Sequence, residues 1–282
     1  MGHHYLPQYY LKGFSNNSDF IWTYDKCSGK KFNTQIKNVA NITNLYSTDF
    51  EQYSANNIEG PANVVLDKIR NKRPIDENDK KILSGYILVI WKRVPEALER
   101  FKKSVPKVGN ELYKKIIEDS TSMDSQEPEK NKLTEGNKET IKAIIADLIS
   151  DPPKNLWEDN IPPEKTPRVV AAFNRMKWKF LVIDDKNAEI FLTCDNPVFI
   201  FMDIGIGNER SEVTFPISSK IALFTTWSND LPHDYIPITK QAIREINRRT
   251  VNNASRYVFH SRDEYWIQTF VKRGKWQLNR LS

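Results

Sequence analysis

The segment Asp19–Asp25 constrains the fold most, because it places three aromatic residues at every second position. Side chains two apart lie on the same face of a strand, so this spacing predicts a β-strand with one aromatic face. Cys27–Lys30 contains a glycine and predicts a turn, and Lys31–Ile36 follows as the return strand. The chain therefore begins with a β-hairpin.

The middle of the chain has helical periodicity. Asp76 is placed to cap a helix over Glu77–Lys103, and Pro95 predicts a kink in this helix just after Arg93. The polar residues 120–137 predict a mobile loop. Further helices are predicted over Ile58–Arg70, 109–119 and Glu139–Ile149.

After a proline-rich linker at Asp151–Pro163 the chain becomes rich in strands. The predicted elements are a helix over Thr166–Lys179, strands over Phe180–Asp184, Glu189–Cys194, Val198–Met202, Val213–Ile217 and Lys220–Thr226, a helix over Ile238–Val251, a strand over Arg256–Ser261, and a helix or strand over Glu264–Lys272. This order predicts an α+β fold with an N-terminal β-hairpin, a central helical section and a C-terminal mixed β-rich lobe with flanking helices. We expect two lobes, residues 1–150 and 164–282, or their integration into one domain.

Positive charge is concentrated near the end of the chain. Residues 239–282 hold ten Lys or Arg and three acids, so this segment has a net charge of +7 while the whole chain has +6. Such a concentration is typical of a polyanion binder, although an ordinary solvated face has the same composition. The predicted phosphate contacts are Arg244, Arg248, Arg249, Arg273 and Lys275.

Cysteine content and hydropathy indicate the compartment. Cys27 and Cys194 are too far apart in sequence for a Cys-x-x-Cys metal site, and two cysteines do not form a disulfide framework. The N-terminus lacks the apolar core of a signal peptide, and the longest apolar runs are too short to cross a bilayer. We expect a cytoplasmic protein with reduced thiols and no membrane partner.

Residues 4–14 read His-Tyr-x-Pro-Gln-x-Tyr-Leu-x-x-Phe, which resembles the opening of a bacterial family known as domain of unknown function 4238. Shorter matches follow over about residues 4–260. They are Ile21-Trp22-x-Tyr24-Asp25, Val39-Ala40, Tyr46, Glu59, Arg93-x-Pro95, Thr193-x-Asp195-Asn196-Pro197 and Phe215–Ser218. One departure is Ile90, where members usually carry a polar residue, often glutamine. The resemblance implies a bacterial protein of the kind found near mobile elements and defence genes, and it implies no established reaction.

Within the opening motif, His4 and Gln8 are the candidate chemical groups. Histidine titrates near neutrality and binds metals, although an N-terminal histidine also occurs in disordered ends. Asp195 lies where a predicted strand becomes a turn, so it is either a cleft carboxylate or the acceptor of an Asx turn. We expect His4, Gln8 and Asp195 to come together in the fold.

Glu59 and Arg93 complete the predicted catalytic set. Glu59 is either a functional acid or a first-turn acid favoured by the helix dipole. Arg93 either holds a phosphate through paired hydrogen bonds or is the buried partner of Asp195 or Glu59. His4, Glu59 and Asp195 together would suit one divalent ion, Mg²⁺ or Mn²⁺.

Two hypotheses remain open from the sequence. The first is a nucleic-acid-directed hydrolase, a metal-dependent nuclease effector of a defence or toxin system. The second is a non-enzymatic module that binds nucleic acid or an acidic partner protein, with the polar cluster as a structural network. The sequence contains no Walker A loop, complete dinucleotide fingerprint, His-Glu-x-x-His or Gly-x-Ser-x-Gly motif. Neither hypothesis therefore has the support of a known catalytic or nucleotide-binding motif.

Overall fold

The computed structural model describes residues 2–16, 18–122, 133–184, 189–201, 205–228 and 235–281. The chain divides into two compact units, Met1–Val94 with Ile161–Ser282, and Pro95–Asn160. The fold is α+β, as the sequence predicts. Among the described residues, no helix has both the length and the apolar character needed to cross a bilayer.

The larger unit contains the strands. They are β1 (Gly2–His4), β2 (Phe20–Asp25), β3 (Lys31–Gln35), β4 (Asn41–Thr43), β5 (Lys177–Val182), β6 (Thr193–Cys194), β7 (Phe199–Ile200), β8 (Glu212–Pro216), β9 (Ile221–Thr226), β10 (Tyr235–Pro237) and β11 (Tyr257–His260). A five-stranded sheet has the order β10-β5-β9-β8-β7, a four-stranded sheet has the order β3-β2-β11-β6, and β1 pairs with β4. β10 runs parallel to β5, and the other pairs are antiparallel.

The predicted hairpin is confirmed as β2 and β3. Gly29 occupies the turn with φ of 68°, a conformation that glycine adopts without a steric cost. The second edge of β2 pairs with β11, so that Trp22 lies opposite His260. This long-range pairing joins the beginning and the end of the chain in one sheet.

The larger unit also contains seven of the described α-helices. They are α1 (Gln8–Lys12), α2 (Thr48–Tyr53), α3 (Gly60–Arg70), α4 (Glu77–Arg93), α8 (Pro167–Arg175), α9 (Lys240–Asn253) and α10 (Tyr265–Lys272). A π-helical segment, Ser54–Glu59, connects α2 to α3. The predicted cap Asp76 forms a reciprocal capping box with Asp79 at the start of α4. Glu264–Lys272, undecided from sequence, is helical as α10.

Pro95 breaks the helix where the sequence predicts a kink. α4 ends at Arg93, and Val94 takes an extended conformation with ψ of 153°. The residue before a proline avoids the helical region because its backbone clashes with the proline ring. Arg93 therefore lies in the last turn of α4, where the helix dipole favours a cation.

The smaller unit consists of α5 (Pro95–Ser122), α6 (Glu135–Ser150) and α7 (Lys154–Glu158). α5 packs against α6 at Gly109, where an added Cβ would lie 3.1 Å from Ile149. The prediction of a short helix over 109–119 is wrong in its length, because these residues are part of the longer helix α5. The predicted loop over 120–137 is shortened at both ends by α5 and α6, and residues 123–132 lie outside the described residues.

The strand boundaries in the C-terminal half also differ from prediction. The predicted helix over Thr166–Lys179 ends at Arg175, because Met176 is extended and β5 begins at Lys177. Within the described residues, the predicted strands at Glu189–Cys194 and Val198–Met202 pair only over β6 and β7, and Met202 lies outside the described residues. The apolar runs at these positions predict burial. The length of each strand depends instead on which neighbouring strands pair with it.

Candidate functional site

Arg93 is the centre of a buried polar cluster. Its side chain is 1% exposed. Its Nε donates to the Tyr5 carbonyl at 2.9 Å, and Nη2 donates to the His4 carbonyl at 2.5 Å. Its Nη1 donates to Ser54 Oγ and to Glu59 Oε1, each at 2.7 Å. Every guanidinium nitrogen thus has a protein acceptor, so the N-terminal motif is held to α4 through its backbone.

The π-helical segment explains how Ser54 and Glu59 reach the same guanidinium. A π-helix has hydrogen bonds between residues five apart, so positions 54 and 59 share a face. Ser54 Oγ also donates to Glu59 Oε1 at 3.3 Å. Burial lowers the pKa of Arg93, but the charge and hydrogen bond of Glu59, together with Tyr46 and the charge of Glu51, raise it above its usual value. The cluster therefore favours the charged form of Arg93.

Glu51 is a member of this region that the sequence does not single out. One carboxylate oxygen, Oε2, is buried and has no hydrogen-bond partner in the part of the chain that the structure describes. Burial raises the pKa of Glu51, against the opposing charge of Arg93 and with the support of the Glu59 charge. In the sequence, Glu51 looks like an ordinary acid in the first turn of α2 after the cap Ser47, so no local signal distinguishes it.

The two histidines of the opening segment, His3 and His4, have structural contacts. The ring of His4 is half-buried, and its Nε2 lies 3.0 Å from the Lys37 carbonyl. His3 is 5% exposed, accepts a hydrogen bond from the Tyr46 amide at 3.0 Å, and stacks on the Tyr46 ring. Both belong to β1 rather than to an irregular terminus.

Asp195 anchors the chain that leads into β11. Its carboxylate accepts three backbone N–H groups, from Ser255 at 2.9 Å, Arg256 at 2.7 Å and Tyr257 at 2.9 Å. Burial raises the pKa of Asp195, although these three hydrogen bonds act in the opposite direction. The three amides lie 60–62 positions further along the chain, so the carboxylate fixes a distant backbone segment rather than the local Asx turn considered from the sequence.

Tyr5 is the residue of the opening motif that lies near Asp195. The pKa of the Tyr5 phenol is raised by burial and then by the charge of Asp195. Gln8 is exposed at the start of α1, and its side chain makes no hydrogen bond to any described residue. The structure thus joins His4, Glu59 and Arg93, while no hydrogen bond links His4, Gln8 and Asp195 within the described part of the chain.

The proposed metal set is likewise not assembled in one group. Over the described ranges, no three His, Cys, Asp or Glu side chains are arranged to hold a metal ion. Glu59 pairs with Arg93, and Asp195 pairs with backbone amides, so both carboxylates already have protein partners.

The arginines of α9 have acidic partners inside the protein. Arg244 pairs with Glu189 at 2.9 Å, and Arg248 pairs with Glu245 at 3.2 Å. Arg249, also a predicted phosphate contact, does not lie on the surface, because its side chain is completely buried and pairs with Glu212 at 2.6 Å. Burial lowers the pKa of Arg249, against the charge of Glu212.

Coverage by the C-terminal segment explains this burial. Arg249 also donates to the carbonyl of Asn279, and the Leu281 amide donates to Glu212. Residues 276–281 therefore lie over α9 and close the polar group around Arg249. This contact depends on chain segments that are far apart in sequence, and the helical pattern of α9 alone does not indicate it.

Exposed cations and an exposed aromatic ring lie together on α10. Tyr265 is 83% exposed, and the helix face that it shares with Gln268, Thr269, Lys272 and Arg273 forms a shallow depression. These positions follow the spacing of one helix face. We call this face the α10 platform.

Trp276 supports the end of the α10 platform. The Arg273 guanidinium lies 4.1 Å from the centre of the Trp276 ring, and Arg248 lies 5.2 Å from it. Phe270 stacks on Trp276 with ring centres 4.6 Å apart. These contacts hold the Arg273 side chain beside the Trp276 ring. Arg273 nevertheless remains exposed. Lys275 is also exposed.

The fold and these clusters describe an α+β protein with a sealed polar network and an exposed basic aromatic face. A family model described as protein of unknown function, DUF4238, matches residues 2–264. The chain belongs to this family, as its opening motif predicts. Comparisons with curated proteins and with solved structures found no match.

Proposed function

We propose that this protein is a nucleic-acid-binding module that holds a single strand on the α10 platform. The observation that carries this proposal is Tyr265, an 83% exposed aromatic ring on the same helix face as Lys272 and Arg273. An exposed ring beside cations suits a strand whose bases stack and whose phosphates need neutralising.

The charge distribution supports the same ligand class. The segment from residue 239 to the end of the chain has a net charge of +7, and cationic grooves attract nucleic acid over a distance. Arg244, Arg248 and Arg249 have acidic partners, so the proposal assigns the phosphate contacts to Lys272, Arg273 and Lys275. The ligand thus contacts the last helix and the chain just after it.

The contacts of the polar cluster support a binding module over an enzyme. Arg93 and Glu59 satisfy each other, and Asp195 is occupied by three backbone amides. Removing one partner from such a group destabilises the fold, because a buried charge without its partner is costly. The proposal therefore gives the cluster a structural role.

Fluorescence anisotropy with a labelled oligothymidylate of about 20 nucleotides tests this proposal, and the variants are Tyr265→Ala and Tyr265→Phe. Loss of base stacking should weaken binding of Tyr265→Ala by about 1–3 kcal/mol, whereas Tyr265→Phe keeps a ring and should bind like the wild type. Equal binding by all three proteins would overturn the stacking role. Binding of an acidic polypeptide in preference to the oligonucleotide would indicate a protein partner instead.

Hydrolysis is a second candidate function, and Glu51 is the observation in its favour. A carboxyl group with a raised pKa and an unpartnered oxygen, near His3, His4 and Glu59, has the properties of a general acid. The test is cleavage of labelled single- and double-stranded DNA and RNA, with and without Mg²⁺ or Mn²⁺. Cleavage by the wild type that is lost in Glu51→Gln would favour the enzyme, and absence of cleavage would remove this candidate.

A further inference from the structure

A pocket of about 690 Å³ lies on the larger unit, away from the α10 platform. Two helix faces form most of its wall. The α4 face contributes residues 78, 81, 82, 85 and 86, and the α8 face contributes residues 167, 170, 171 and 174. Both sets follow the three- and four-residue spacing of one helix side. The volume lies in the range of pockets that bind small organic molecules.

The lining of this pocket is mostly apolar and rigid. Ile58 and Pro61 close it on one side, next to the π-helical segment, and Pro163 closes it beside Gly85. A Cβ added to Gly85 would lie 3.4 Å from the Pro163 ring, so glycine leaves room there. Proline rings and branched side chains offer flat apolar surfaces that suit a compact ligand body.

Two residues of the wall contain buried polar atoms that have no hydrogen-bond partner among the described residues. They are the hydroxyl of Tyr86 and the amide oxygen of Asn174. Tyr86 is 1% exposed, and burial followed by the charge of Glu59 raises the pKa of its phenol. Both atoms are enclosed by protein, so they lie behind the apolar surface of the wall, and the accessible residues indicate the ligand class instead.

The charged residues of the wall indicate the sign of the ligand's charge. Lys81 is exposed and makes no hydrogen bond or ion pair with any described residue. Its neighbour Lys80, which does not line the pocket, pairs with Glu77 at 2.9 Å. The acid of the wall, Glu164, accepts a hydrogen bond from the Tyr53 hydroxyl at 3.1 Å. The pocket therefore presents a cation without an ion pair among the described residues and a carboxylate that already accepts a phenol hydrogen bond.

From these observations we propose that the pocket binds a small monocarboxylic acid with a compact apolar body. The carboxylate pairs with Lys81, and the body lies between the α4 and α8 faces. An ammonium-bearing ligand would face Lys81 with a like charge, whereas a carboxylate gains a charge-assisted hydrogen bond there. The site does not depend on the α10 platform, because the two share no residue.

Calorimetric titration with two matched probes, indole-3-acetate and its neutral amide indole-3-acetamide, tests this proposal. The carboxylate should bind wild type about tenfold more tightly than the amide, which corresponds to one charge-assisted hydrogen bond of about 1.4 kcal/mol. Lys81→Gln should remove that difference. Lys80→Gln, the adjacent lysine outside the pocket, should preserve it.

A second variant tests the location of the site. Ala171 is an exposed residue of the α8 face, so Ala171→Trp fills the pocket without replacing a buried side chain. Both probes should lose binding to this variant, and circular dichroism and thermal unfolding check that it is folded. Absence of binding to the wild type, equal affinity for acid and amide, or unchanged acid binding by Lys81→Gln would each overturn the proposal.

Discussion

Arg93 and Glu59 form an ion pair between Nη1 and Oε1 at 2.7 Å, and the two residues are 34 positions apart. The pair connects the last turn of α4 to the end of the π-helical segment. The same guanidinium donates to the carbonyls of His4 and Tyr5. The most recognisable motif of the chain is thus fixed by an arginine that the fold encloses.

Removing this arginine should strongly destabilise the larger unit. Arg93→Met leaves the Glu59 charge and two backbone carbonyls without their donor, and loss of one partner of a buried pair costs about 3–5 kcal/mol. Urea unfolding followed by circular dichroism measures the effect. Lys80→Met breaks an exposed pair with Glu77 and should cost less than about 1 kcal/mol. Similar losses in both variants would contradict the structural role of Arg93.

Asp195→Asn should also reduce stability, because the amide retains only one acceptor oxygen for three backbone N–H groups. The expected loss is about 1–3 kcal/mol in the free energy of unfolding. Glu209→Gln, at an exposed position in a loop, is the matched control and should be nearly neutral. A stable Asp195→Asn protein that has lost a measurable activity would instead support the catalytic assignment.

His260 should make stability depend on pH. The ring is buried, and burial lowers its pKa from 6.5 to about 4. The unfolded chain therefore binds a proton first as the pH falls, and stability should decrease between pH 6.5 and about 4. The contribution is about 2–3 kcal/mol over this window.

Chemical unfolding at several pH values, with wild type and His260→Gln, measures this effect. The variant is expected to be less stable near pH 7, since it loses the contact between His260 Nδ1 and the Arg262 carbonyl at 2.8 Å. Its stability should nevertheless fall less steeply towards pH 4. Parallel pH profiles for the two proteins would show that His260 does not titrate differently on folding.

Glu51 should make stability depend on pH in the opposite direction. Its pKa is raised above 4.5 by burial, so the folded state holds a proton that the unfolded chain releases, and stability should fall as the pH rises through this region. Glu51→Gln removes the buried charge and should be neutral or stabilising at pH 7. Thermal unfolding at pH 4 and pH 7 measures the difference, and a clear loss of stability at pH 7 would contradict the assignment.

Local signals were sufficient for several features of the fold. The spacing of aromatic residues predicts β2, the glycine turn predicts β3, and Pro95 predicts the end of α4, because each depends on neighbouring residues only. The Glu59 partner for Arg93 is one of the alternatives that residue type and position leave open. Which alternative holds depends on tertiary contacts.

Features that depend on distant segments were not predictable. The pairing of β2 with β11 needs residues from both ends of the chain, and Arg249 is buried only because residues 276–281 cover α9. The π-helical segment has no sequence signature, yet it brings Ser54 and Glu59 to one guanidinium. A charge count therefore overestimates the cations that are free to contact a ligand.

The salt dependence of oligonucleotide binding tests the central proposal most directly. The variant is Lys272→Gln/Arg273→Gln on the α10 platform, and its control is Arg168→Gln/Arg175→Gln, two exposed arginines of α8. Both variants remove the same charge, so only location differs. Each phosphate contact on a single strand contributes about 0.7 to the slope of log K against log salt concentration, so the platform variant should lose about 1.4. The control should keep the wild-type slope, whereas equal slopes in all three folded proteins would contradict nucleic-acid binding on α10.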